Sequence, residues 1–295
     1  MAMKAMAILP AFLPIDEIKA SIEQVLPDLE IRTDTDFERS EADVLVVTTF
    51  TRVDREILDK FPSLKFMQVA STGYDNVDLG AVKEKGVILS NIPVANKESV
   101  AEHVIAMTLS LLKDMRFLDS ELRSGNWPMI TGSRELKGKT FGIVGMGAIG
   151  IRLAERLLPF EVGMVYNDVR RLPDDREQNL GLTYLPIDKL LEVSDVISIH
   201  VPLTADTEKM FSSAAFGKMK DGAILINTSR GEVVDEPALI DAVKKKGIRA
   251  GLDVFATEPP DFSSELFRLD NVIFSPHIAG VTVESQQRFV TSSHG

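Results

Sequence analysis

The sequence predicts an α/β protein built on two doubly wound parallel sheets, and three observations carry that expectation. Short apolar runs alternate with helical patterns from one end of the chain to the other, the signature of parallel strands joined by crossover helices. The alternation falls into two parts, separated by a long helical stretch and a polar connector, SGNWPMITGSRELKGK, at 124–139. With 295 residues, 44% of them hydrophobic, the chain can bury two cores.

In the first part the strands are expected at Met6–Leu9, Val44–Thr48, Lys65–Val69 and Val87–Leu89. Helices are expected between them at Ile15–Leu26, Asp54–Lys60 and Leu79–Glu84. The N-terminal stretch MAMKAMAILPAFLP has one lysine and a short apolar run broken by Pro10, so it reads as an edge strand rather than a signal peptide. A long helix is expected from Ser99 to about Leu122, with Ser99 or a neighbour as N-cap. Trp127, in the connector, reads as a packing residue. The second part has strands at 140–144, 163–167, 195–199, 222–226, 249–253 and 271–274. With helices at 148–158, 188–192, 212–218 and 235–246, these make up a doubly wound nucleotide-binding domain.

That second part opens on TFGIVGMGAIG, where an apolar strand meets Gly145, Gly147 and Gly150 in the G-x-G-x-x-G spacing. An amphipathic helix follows, with Ile149, Leu153, Leu157 and Leu158 on one face. A second apolar run, Val162–Tyr166, ends at Asp168. Gly145 permits the tight turn, Gly147 a close approach to a pyrophosphate, and Gly150 close packing of helix on strand. The first helical turn, from Ala148 and Ile149, points free N–H groups at the phosphates. Asp168 can accept hydrogen bonds from the adenosine ribose, and its charge repels a 2′-phosphate. The segment therefore reads as an NAD site. Arg170 and Arg171 directly follow Asp168 and keep NADP open as a secondary cofactor.

Composition narrows the function further. No apolar run is long enough to span a membrane. There is no cysteine, which excludes disulfides, thiolate metal sites and cysteine nucleophiles, and is compatible with the cytoplasm. The four histidines show no metal-ligand spacing. With 33 basic against 44 acidic residues, net −11, the chain lacks the basic footprint of a general nucleic-acid binder. An anionic substrate would need locally placed positive charge.

Three later loops follow expected strands of one sheet: Thr228-Ser229-Arg230-Gly231, Asp253 to Glu258-Pro259-Pro260, and Ser275-Pro276-His277-Ile278-Ala279-Gly280. In open α/β sheets the carboxyl edge of the strands is where ligands bind. Arg230, Glu258 and His277 are therefore candidates for one site.

At this point the residues resemble the D-isomer-specific 2-hydroxyacid dehydrogenases. Five segments carry the resemblance: ASTGYDNVD (70–78), SVAEHVIAMTLSLL (99–112), GIVGMGAIG (142–150), NTSRGEVVDEPAL (227–239), and GLDVFATEPP with SPHIAG. It covers nearly the whole chain in order. It implies a Rossmann NAD domain, 99–281, inserted into a flavodoxin-like substrate domain, 1–98 plus 282–295, with the active site in the cleft. It also implies a homodimer through the NAD domain, partly by the helix matched at 99–122.

The resemblance assigns roles to matching positions. His277 matches the general acid/base, a task suited to an imidazole titrating near physiological pH. Glu258 matches its carboxylate partner. Arg230 matches the residue that binds substrate carboxylate and carbonyl, as a planar forked donor can. Ser71, Thr72 and Gly73 match the loop whose amides hold the substrate carboxylate. On the cofactor side, Asp253 matches the nicotinamide carboxamide contact, His200 and Pro202 the adenine-side loop, with Thr228 and Gly280 beside them. Glu258 and Thr72 depart from the Gln of formate-type and the Lys of phosphite-type members. The reaction implied is hydride transfer between nicotinamide and a small anionic 2-hydroxy or 2-keto acid, which acid being left open. An alternative is a non-catalytic NAD(H)-sensing protein of the corepressor type. Arg52, in TTFTRVD, lies near the substrate loop and reads equally as a surface charge. The family pattern continues through a longer C-terminal helix, whereas only about ten residues from Thr282 remain for it here. The substrate domain is expected to be less well braced for that reason.

Overall fold

A computed structural model describes residues 3–11, 13, 15–22, 28–129 and 132–292. The chain divides into two units, Met1–Asn96 with Thr282–Gly295, and Lys97–Val281.

In the first unit, short and mainly apolar runs form β1 (Ala5–Ile8), β3 (Val44–Val47), β4 (Phe66–Val69) and β5 (Ile88–Asn91), and β2 is the short Glu30–Arg32. The crossovers are α1 (Ile15–Ile22), α2 (Arg55–Asp59) and α3 (Leu79–Glu84). Asp54 and Asp78 cap α2 and α3 by accepting from Ile57 N and Ala81 N, which satisfies N–H groups that a helix start leaves open. All five strands are parallel, in the order β2-β1-β3-β4-β5, a flavodoxin-like order. Leu45, Val47, Met67, Val69, Leu58 and Phe61 fill its core. The N-terminal strand is not an edge strand: it lies between β2 and β3, because the short Glu30-Ile31-Arg32 pairs on its outer side. The expected helix Ile15–Leu26 is seen through Ile22, and 23–26 lie outside the described residues.

The second unit begins with α4 (Lys97–Leu112) and α5 (Met115–Arg123). Then follow β6 (Thr140–Val144), α6 (Ala148–Leu157), β7 (Gly163–Asn167), α7 (Asp174–Leu180), β8 (Leu182–Tyr184), α8 (Ile187–Val193) and β9 (Val196–Ile199). The last elements are α9 (Ser213–Lys218), β10 (Ile224–Asn227), α10 (Glu236–Lys246), β11 (Arg249–Leu252) and β12 (Val272–Phe274). All seven strands are parallel in the order β12-β11-β10-β9-β6-β7-β8, so their carboxyl ends share one edge. The chain order reverses between β6 and β9, which makes that point the switch crevice. β9 and β10 are buried along their whole length, as helices on both faces require, and this is why they read as mainly apolar runs, with Ser198 and Asn227 the polar exceptions.

Further expectations are corrected. The helix expected over 99–122 is two helices: Asp114 takes a left-handed conformation (φ 51°) and its carboxylate pairs with the Arg249 guanidinium. The first of them starts at Lys97, so of the N-cap candidates Ser99 falls inside α4, where it is buried, and the start belongs to its neighbours. The sheet has a seventh strand, β8, preceded by α7, in a stretch with too few apolar residues to show either element. Trp127, expected to pack, is 82% exposed, and Leu158 (48% exposed) leaves the buried face of α6. A final helix, α11 (Val283–Ser292), belongs to the first unit, where Arg288 Nε donates to Ala95 O at 2.7 Å.

Candidate active site

The glycine turn is built as its spacing requires. Gly145 has φ +98°, and a Cβ there would lie 2.7 Å from the His200 carbonyl carbon and oxygen, so the turn after β6 packs directly on the one after β9. A Cβ on Gly150 would lie 2.1 Å from Gly145 O, the close helix–strand contact expected of the third glycine. Gly147 caps α6 and has no side chain with which to satisfy the first-turn amides; a Cβ on it would meet nothing within 4 Å. Ala148 and Ile149 form that first turn, both half-buried. Asp168, just past β7, accepts from Met146 N at 2.6 Å through Oδ2 and from Arg170 N at 2.9 Å through Oδ1. It is therefore held against the glycine turn itself.

Two further groups complete this side. His200 bonds Ser198 Oγ through Nε2 (2.8 Å), and burial pushes its pKa down to about 3, so the ring is neutral. Pro202, two residues on, is exposed. The Thr228 hydroxyl, at the carboxyl end of β10, is buried with no partner among the described residues. An uncapped helix start, open space over Gly147 and an orphaned hydroxyl fit a bound dinucleotide.

The reactive side chains sit on the loops after β10, β11 and β12. Asn227, fully buried, shapes the first: its Oδ1 accepts from Ser229 N (3.0 Å) and Oγ (2.9 Å), and its Nδ2 donates to Arg230 O (2.8 Å). A Cβ on Gly231 would stand 1.9 Å from the Phe255 carbonyl carbon, so only glycine lets the Arg230 loop touch the Glu258 loop. His277 Nδ1 donates to Glu258 Oε2 at 2.7 Å, and Glu258 Oε1 accepts from Phe255 N at 3.0 Å. Burial raises the Glu258 pKa, but the bonds from His277 and Phe255 and the charges of His277 and Arg230 outweigh it. The carboxyl stays below its ordinary value and is ionised. His277 itself has φ +54°, the left-handed region that non-glycine residues enter only when neighbours enforce it.

Asp253, 1% exposed, is the enforcing neighbour. Its carbonyl accepts from His277 N (2.7 Å). Its carboxylate accepts from Ile278 N and Ala279 N (both 2.9 Å) and from Ser275 Oγ (2.5 Å). The structure thus gives Asp253 a place in the loop that carries His277, which the sequence did not reveal. Ser275, Asn227 and Gly231 were also missed as contributors; each stands inside a quoted segment, but only contacts show its part. Gly280 closes this loop, half-buried.

In the first unit, Ser71, Thr72 and Gly73 follow β4. Their side chains turn inward: Ser71 Oγ donates to Gly73 O, and Thr72 Oγ1 bonds Asn96 Oδ1 and Ile92 O. Asn91 Nδ2 donates to Thr72 O (2.7 Å). The amides of 71–73 make no hydrogen bond among the described residues. Arg52 is a surface charge, 87% exposed at the side chain and 3.8 Å from Asp54.

The second unit thus has a glycine turn fit for a dinucleotide and a histidine–carboxylate pair on the same sheet edge, the makings of a nucleotide-dependent dehydrogenase. Residues 105–279 match the description "D-isomer specific 2-hydroxyacid dehydrogenase, NAD binding domain", and the chain belongs to that family. A glyoxylate reductase of Thermofilum pendens is 38% identical over 252 residues, 83% of this chain and 74% of the relative. A hydroxypyruvate reductase of Thermotoga maritima is 39% identical over 252 residues, 84% and 81% of the two chains. Among solved structures, the D-lactate dehydrogenase of Aquifex aeolicus with NAD and lactic acid has a TM-score of 0.88 and 33% identity, covering 98% of this chain and 92% of its own. The protein is an NAD-dependent oxidoreductase of the 2-hydroxyacid class. Among the described residues, no helix is long and apolar enough to cross a membrane.

Proposed function

We propose that the chain reduces a small 2-keto acid to the D-2-hydroxy acid, with glyoxylate and hydroxypyruvate the first substrates to try, as the names of two relatives suggest. The observation that carries the reading is the 2.7 Å bond between His277 Nδ1 and an ionised Glu258, on the sheet edge that bears the glycine turn. Bound NADH supplies the hydride. Gly147 and the first turn of α6, in the turn that Gly145 and Gly150 make possible, would hold the pyrophosphate, Asp168 would hold the ribose, and Thr228 would offer its free hydroxyl. In the first unit the amides of Ser71, Thr72 and Gly73 suit a carboxylate; in the second, Arg230 is a forked donor suited to the carboxylate and carbonyl of the acid. As the carbonyl carbon accepts hydride, the C–O π bond breaks and its electrons move to oxygen. The imidazolium of His277 gives that oxygen a proton from Nε2 and becomes neutral, while Glu258 keeps the ring oriented through Nδ1. In the oxidative direction the same nitrogen takes the proton back.

NADH oxidation measured with a panel of 2-keto acids tests this. Wild type should turn over at least one acid, and His277→Ala should lose about a hundred- to ten-thousand-fold in kcat while still binding NADH. Tight NADH binding without turnover of any acid would overturn the proposal. The chain is further proposed to pair as a homodimer through the exposed apolar residues Met115, Phe117 and Leu122 of α5, none of whose residues is buried.

A further inference from the structure

His103 lies on α4, 172 residues from Ser275 in sequence, yet its Nε2 is 2.8 Å from Ser275 Oγ. The hydroxyl proton of Ser275 is committed to Asp253 Oδ1 at 2.5 Å, because two oxygens that close need a proton between them. Ser275 Oγ must then accept from His103, so His103 Nε2 carries hydrogen and donates. The result is a directed chain, His103 Nε2–H to Ser275 Oγ–H to Asp253 Oδ1, entirely within the second unit. Its last member holds the backbone of Ile278 and Ala279 through its carboxylate and of His277 through its carbonyl. His103 Nε2 is itself 3.8 Å from Asp253 Oδ1, too far for a direct bond, so the serine is the link.

We propose that His103 is a positioning residue for hydride transfer, acting through Ser275 and Asp253 to hold His277 in its left-handed backbone conformation. This rests on the reading of His277 as the acid/base. The physical reason is that a left-handed histidine relaxes unless its neighbours over-determine it. Asp253 can do so only while its own carboxylate is fixed, and three donors fix it: two amides of the strained loop and one hydroxyl oriented from outside that loop by His103. Groups that orient a reacting residue from behind are worth about ten- to a hundredfold in rate when removed.

The test uses the full chain with NADH and whichever keto acid it turns over best. His103→Leu, which keeps bulk but has no donor, should lower kcat by about tenfold and leave the NADH KM and Tm near wild type. His103→Gln, whose amide N–H can stand near Nε2, should recover most of that loss. Ser275→Ala should lower kcat to a similar extent, and the double variant His103→Leu/Ser275→Ala should be no slower than the worse single one, because one chain is cut twice. Should His103→Leu fail to fold, Ser275→Ala against wild type and His103→Gln carries the same comparison. Unchanged kcat in His103→Leu, losses that multiply in the double variant, or a Gln variant no better than Leu would overturn the inference. Activity persisting in His277→Ala would instead overturn the acid/base reading beneath it, so the two failures are separable.

Discussion

At Asp168 one carboxylate serves two amides: Oδ2 ties down Met146 in the glycine turn, and Oδ1 ties down Arg170. The two arginines that follow, equivalent in sequence, are not equivalent in space. Arg171 is committed to Glu177 by two bonds, Nε to Oε1 at 2.9 Å and NH2 to Oε2 at 2.7 Å. The Arg170 guanidinium is exposed and makes no ion pair among the described residues. Of the two, Arg170 is the one left uncommitted to meet a 2′-phosphate, and Asp168 opposes it. Asp168→Ala should raise the ratio of kcat/KM for NADPH over NADH by about tenfold or more, since like-charge repulsion is removed. The same change should lower kcat/KM for NADH, because the turn loses its tie at Met146. An unchanged ratio in steady-state kinetics would show that Asp168 does not discriminate. Asp168 and the glycines were legible because their spacing is local. The unequal fates of Arg170 and Arg171 were not, because Glu177 decides them.

Among elements, the same Glu177 joins β7 to α7. Its Oε1 accepts from Tyr166 Oη at 2.6 Å, and that oxygen accepts from Leu172 N at 2.8 Å. The bonds from Arg171 and Tyr166 hold the Glu177 pKa down to about 2, while burial and then Glu177 push Tyr166 up to about 12. A folded value below the ordinary 4.5 means the carboxylate stabilises the fold fully above 4.5 and loses that contribution as pH falls toward about 2. Glu177→Gln should therefore lower Tm by a few degrees at neutral pH, with the difference from wild type shrinking through that acid window. A Tm gap constant down to the bottom of the window would refute the linkage. This element was invisible in the sequence: α7 is DDREQNL, with one apolar residue, and β8 is three residues long. β2, with charges at both ends of Glu30-Ile31-Arg32, was hidden for the same reason. Strands with long apolar runs, such as β6 and β10, were read to within two residues at each end. The break at Asp114 left no glycine or proline to mark it, since its left-handed turn answers to Arg249, 135 residues away.

For the molecule as a whole, the apolar residues left outside are as informative as those within. Met115, Phe117 and Leu122 on α5, with Trp127 and Met129 beyond it, are each at least half exposed. On a chain of net charge −11, so many exposed apolar side chains along one short stretch suit self-association. Phe117→Asp should raise the dimer Kd by about tenfold or more in sedimentation equilibrium and make Tm less dependent on protein concentration. A wild-type chain that sediments as a monomer at all concentrations would end that proposal. The three loops bearing Arg230, Glu258 and His277 were legible as a set because parallel strands put their carboxyl ends on one edge. The clamp behind them was not, because it is made by backbone amides, which no sequence pattern announces. That clamp has one more consequence. Since Asp253 fixes 277–279 through three bonds, one to its carbonyl and two to its carboxylate, with Ser275 behind it, the entropy of ordering this loop is lost when the chain folds rather than anew with each substrate, leaving the barrier to hydride transfer free of that term.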